Sequence, residues 1–141
     1  RERPRAAVFA VSTVQEEIGL RGAQTSAFAI DATLGIAVDV THATDCPTLD
    51  AKQYGEVNLG AGPMLYRGPN VNPAIHARLV ELARQHEIPA QVGGLSRASS
   101  NDANVIIAQA DPATAVLIPT TSPRRLTKGP PLLPGLMAAS V

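Results

Sequence analysis

Two adjacent glutamates in Val14-Gln15-Glu16-Glu17-Ile18-Gly19, and an aspartate inside the apolar run Ile36-Ala37-Val38-Asp39-Val40, are the residues of this chain best suited to chemistry. An ionised carboxylate among Ile, Ala and Val is costly unless it is paired or bound to a metal. Three carboxylates converging at strand ends point to a hard or borderline cation, with one glutamate left over as a base. Each residue also has a plainer reading. Glu16 and Glu17 can be a surface pair that favours the dipole of a following helix. Asp39 can be a buried acceptor satisfied by backbone donors.

The elements that must position them alternate between strand and helix. Val8–Val14 reads as a buried strand and Gly19-Leu20-Arg21-Gly22-Ala23 opens a helix, which puts the glutamates at a strand-to-helix turn. Open α/β sheets place their ligands at such carboxyl ends. Further strands are expected at Ile36–Thr41, Val57–Leu59, Pro63–Tyr66, Gln91–Gly93 and Thr114–Ile118. The continuous apolar runs among them fit central strands covered on both faces. The first helix aligns Leu20, Ala23, Ala27 and Ile30, with Gly22, Ala23 and Ser26 allowing close approach to the sheet. A second helix is capped by Asn72, has Pro73 at its first position and runs to about His86. Its inward face is Ile75, Leu79, Leu82 and Ala83, and His76 and His86 are expected in water. A third helix, capped by Ser100 or Asn101, carries Ala103, Ile106, Ile107 and Ala110 inward.

Five ordered blocks resemble the M42 family of metallo-aminopeptidases. They are Val14-Gln15-Glu16-Glu17-Ile18-Gly19-Leu20-Arg21-Gly22-Ala23, Ala37-Val38-Asp39-Val40-Thr41-His42-Ala43-Thr44-Asp45, Leu59-Gly60-Ala61-Gly62-Pro63, Gly68-Pro69-Asn70-Val71-Asn72-Pro73 and Asn101-Asp102-Ala103-Asn104. The resemblance covers the C-terminal part of the family's catalytic domain. It implies a three-layer α/β/α zinc-peptidase-like fold with a mixed, mainly buried central sheet, here cut short. It also implies two divalent ions, zinc or cobalt, that lower the pKa of a bound water. In this chain Glu16 matches the general base, Glu17 a ligand of one ion and Asp39 a ligand of the other. The turn holding Asp102 and Ala103 would lie beside the substrate, the N-terminus of a peptide. Asp102 also reads as a helix cap, and the two roles are compatible. His42 is not one of the ligands the resemblance implies and reads as a supporting or structural residue.

The family pattern is incomplete. The histidine and bridging aspartate that precede these blocks in the family would lie upstream of Arg1. The segment Leu117-Ile118-Pro119-Thr120-Thr121-Ser122-Pro123 is shorter than its family counterpart and has no histidine. At most one weakly held ion and little turnover are therefore expected. Residues 1–120 read as the family-like part and 121–141 as a divergent tail. Prolines from Pro119 onward interrupt regular structure, and Arg124, Arg125 and Lys128 form a solvated basic patch.

Composition sets the remaining bounds. A chain of 141 residues suits one domain with a modest core. Apolar residues are 45% and aromatics 3%, so Ala, Val, Leu and Ile must build that core. Lys plus Arg and Asp plus Glu are both 12, which with few aromatics argues against a nucleic-acid binder. The single Cys46 cannot form an internal disulfide and fits a cytoplasmic protein; its own role reads as structural. No run reaches the roughly 18 apolar residues a membrane span needs. Two other functions stay open: a non-catalytic remnant acting as a subunit, and a cellulase-like glycosidase. Adjacent glutamates speak against the second, because glycosidase carboxyl groups stand about 5–5.5 Å or more apart across a bond. Homo-oligomerisation is expected from the exposed strand edge that Val8–Val14 would present.

Overall fold

The computed structural model describes residues 4–45, 47, 49–98, 100–109 and 115–121, with 109 and 115–121 as backbone. The order is α1 (Arg21–Ile30), β1 (Gly35–Thr41), α2 (Ala51–Tyr54), β2 (Met64–Arg67), α3 (Pro73–Gln85), β3 (Gln91–Gly94), α4 (Asp102–Gln109) and β4 (Ala115–Thr121). It is an α/β fold. β1 pairs with β4 from Gly35↔Ala115 to Thr41↔Thr121, and β2 pairs with β3 from Met64↔Gln91 to Arg67↔Gly94. Both ladders are parallel, and β2 also packs beside β4. The antiparallel partners of a mixed sheet are not among the described residues.

The helices follow from local chemistry. Asn72 caps α3 by accepting from the amides of Ala74 and Ile75, and Pro73 opens it where no amide is needed. The inward face keeps the expected Ile75 and Leu79 and gains Val80 and His76. Ile75, Leu79 and Val80 pack on the core of Ala37, Leu65, Val71 and Ala103, and His76 is 7% exposed, which corrects its placement in water. Leu82 and Ala83, also expected inward, are half-buried. α4 packs against β1, β4 and α1, with Ala103 fully enclosed. α1 seats Ala23 and Leu20 inward and ends on Asp31, whose left-handed backbone closes the last turn.

Three expected elements are corrected. Val8–Val14 forms no ladder among the described residues, and Val8, Phe9 and Val14 are about two-thirds exposed. An apolar run becomes a buried strand only where neighbours supply hydrogen bonds and cover. Val57–Leu59 is not a strand either. Val57 is fully buried, but its amide and carbonyl pair with Thr44 alone, and Asn58 and Leu59 turn to the side chains of Gln91 and Asp45. Regular structure does not stop at Pro119, which sits in β4 opposite Asp39. Proline is tolerated in a strand where its missing donor faces away from the partner. Gly22 approaches not the sheet but the backbone of Val14. Cys46, the Arg124–Lys128 patch and the tail from 122 lie outside the described residues.

Gly62 sets the entry to β3. Its φ is +97°, and a Cβ there would collide with the Pro89 carbonyl. Its own carbonyl accepts from Gln91 Nε2 at 3.0 Å, beside the Gln91 amide bond to Pro63 at 2.8 Å. Gly62→Ala is expected to destabilise the fold by about 2 kcal/mol or more, combining backbone strain with a forced shift of β3. Thermal or denaturant melts of the two proteins check it, with Gly60→Ala, which meets nothing at its Cβ, as the milder control.

Candidate active site

The glutamate turn is built from unusual backbone. Gln15 and Leu20 are non-glycine residues with φ of 60° and 57°, and Gly19 has φ of 124°. Such conformations persist only where surroundings over-determine them. Here the Glu16 carbonyl accepts from the amides of Gly19 and Leu20, and the Val14 carbonyl accepts from Gly22 at 3.0 Å. That last bond needs a residue without Cβ, since one at Gly22 would stand 2.6 Å from Val14 O. No acidic residue lies in the first turn of α1. The glutamates therefore precede the helix, and the dipole reading of the pair is not met.

The turn brings the sequence-predicted acids together. Glu16 is half-buried, and burial together with the charges of Asp39, Glu17 and Asp102 holds its carboxyl above the usual range. Asp39, at the carboxyl end of β1, accepts from the Val40 amide at 2.7 Å. Asp102 opens α4 and accepts from the Thr13 hydroxyl at 2.6 Å through Oδ2, while its Oδ1 is buried without a hydrogen-bond partner among the described residues. Glu17 is exposed. Ala103 belongs to the core, which leaves only the backbone of its turn to a substrate role. Asn70 Nδ2 donates to Asn104 Oδ1 at 3.2 Å and ties the 68–72 loop to the same turn. His42 is exposed beyond β1.

In kind, these donors suit a hard cation. In number they fall short, because no three His, Cys, Asp or Glu among the described residues gather closely enough to hold a metal ion. A closed zinc site needs about four ligands. The described residues do not fit a complete metal centre. A cavity of about 220 Å³ lies elsewhere, between Arg67, Val71, Pro73 and His76.

The family model for the M42 glutamyl aminopeptidases matches residues 1–123. The chain belongs to the M42 family. It is 47% identical over 111 residues to the lysyl aminopeptidase of Pyrococcus furiosus, covering 78% of this chain and 31% of that relative. Among solved structures it resembles the TET aminopeptidase of the marine sediment archaeon Thaumarchaeota archaeon SCGC AB-539-E09. The TM-score is 0.67 at 31% identity, over 78% of this chain and 32% of that one. The dodecameric PhTET1-12s shares the fold, with TM-score 0.59 at 24% identity over 77% of this chain and 31% of that one. The chain thus spans about a third of the relatives it matches. These likenesses do not favour the glycosidase reading. No helix among the described residues is long and apolar enough to cross a membrane.

Thr13 escaped sequence reasoning. It lies 89 positions from Asp102, and no local pattern signals a bond at that separation. The raised pKa of Glu16 has a definite consequence for stability. A carboxyl whose folded pKa exceeds its unfolded value favours folding fully below the unfolded pKa of about 4.5, and that contribution is lost as pH rises through the folded one. Glu16→Gln is expected to remove this decline and to stabilise the chain near neutrality by on the order of 0.5 kcal/mol, the scale of a near-surface like-charge contact. Melting curves of both proteins from acid to neutral pH measure it. A parallel pH dependence in the two would contradict it.

Proposed function

We propose that this chain carries the proton-transferring part of an aminopeptidase centre that hydrolyses N-terminal peptide bonds. The observation that supports it is the half-buried Glu16, its proton affinity raised beside Asp39, Glu17 and Asp102, in an M42 chain. A base whose pKa moves towards neutrality is better matched to proton transfer. Glu16 takes a proton from the attacking water and passes it to the leaving amine as the carbon–nitrogen bond breaks. Glu17 and Asp39 are the carboxylates offered to a divalent ion, zinc or cobalt, and the Asp102 turn lies beside the peptide N-terminus.

The donor shortfall favours a second reading, in which the chain is a non-catalytic subunit. Aminoacyl-anilide hydrolysis with and without chelator separates the two. Chelator-sensitive cleavage that Glu16→Gln abolishes supports the catalytic reading, and no cleavage under any metal loading supports the other. For binding itself, calorimetry with zinc or cobalt is expected to give at most one ion per chain. Its affinity should fall short of the roughly 10 kcal/mol at the low end for closed zinc sites, and Asp39→Asn should abolish it. Two tight ions per chain would overturn this.

Self-association is part of the same proposal. Val8, Phe9, Val14, Ile18 and Phe28 are each more than 60% exposed, and apolar side chains left in water favour association where they adjoin one another. Sedimentation at micromolar concentration is expected to show a dimer or larger species. A stable monomer would reject it.

A further inference from the structure

The segment before the glutamate turn has little to hold it. Residues 4–14 join no ladder among the described residues, and the turn after them contains two non-glycine left-handed residues. Two hydrogen bonds anchor the chain around Glu16: the Gly22 amide on Val14 O and the Thr13 hydroxyl on Asp102 Oδ2. The first ties the segment to the opening of α1. The second reaches 89 positions along the chain to the start of α4, which packs on β1, the strand that carries Asp39.

We propose that Thr13 is a positioning residue: its hydroxyl bond to Asp102 sets where Glu16 stands relative to Asp39 and Asp102. The inference rests on the proposed role of Glu16, but its test does not depend on turnover. Threonine suits the task because its branched Cβ restricts χ1, so the hydroxyl is presented with little rotamer freedom to lose. The acceptor is a carboxylate, and hydrogen bonds to charged groups contribute about 1.5–3 kcal/mol. Against a turn in sparsely populated backbone that is enough to decide its position.

Amide hydrogen exchange on the whole chain tests this, with Thr13→Val, Thr13→Ser, Asp102→Ala and the double variant Thr13→Val/Asp102→Ala. Thr13→Val keeps the shape and loses the donor. It should speed exchange at Gly19, Leu20 and Gly22 by about tenfold or more, tenfold being 1.4 kcal/mol, and leave the amides of α3 unchanged. Thr13→Ser should restore protection at the same three amides. Asp102→Ala breaks the bond from the other end and should loosen them as Thr13→Val does, and the double variant should add little to either. If Thr13→Val does not fold, Asp102→Ala and Thr13→Ser carry the comparison. The proposal is overturned if Thr13→Ser behaves like Thr13→Val, if α3 loosens as much as the turn, or if the three amides are indifferent to the bond. Failure of the aminopeptidase reading would appear separately, as absent anilide cleavage with the exchange pattern intact.

Discussion

Like charge drawn together is the constraint to which the rest of the molecule answers. Glu16, Glu17, Asp39 and Asp102 come from a turn, a strand end and a helix start, and the field of the other three acts on Glu16. Such a gathering disfavours the folded chain, so packing has to hold it. The core that does this is small: Ala37, Leu65, Val71 and Ala103 with partly buried neighbours from α3 and α4. Ala37 lies two residues before Asp39, and Ala103 directly follows Asp102. The residues that bear the charge are thus chained to the residues that are best buried. That arrangement resists separation, because moving either carboxylate means unpacking its neighbour. Sites that work against local stability in this way are the usual trade of function against folding.

How much of this was legible in the sequence depends on whether the deciding contact is local. α3 was legible because its cap, its first proline and its apolar period all lie within fourteen positions, and the structure follows them. β1 was legible for the same reason. His76 was misread although 76, 79 and 80 lie on one helical face, because a histidine was assumed to prefer water. Val8–Val14 and Val57–Leu59 were misread because apolar character reports a wish for burial, not the presence of a partner strand. Pro119 was misread in the other direction: a missing donor forbids only those ladder positions that use it. The acids were found through their match to known blocks. The tie that anchors them, Thr13 to Asp102, was invisible because it joins residues far apart in the chain.

Adjacency of Glu16 and Glu17 raises its own question, since two identical side chains on neighbouring residues are proposed to do different work. The turn supplies the answer. Its left-handed residues at Gln15 and Leu20 and the carbonyl of Glu16 turned back onto two amides set the two side chains apart. Glu16 is half-buried near Asp39 and Asp102, whereas Glu17 is exposed. Burial and like charge both favour the neutral form of a carboxyl, and both act on Glu16. Differences of environment between paired carboxylates are how one site obtains an acid/base group and a charged group from one residue type. The turn is where the two environments part: it leaves Glu16 half-buried and Glu17 in water.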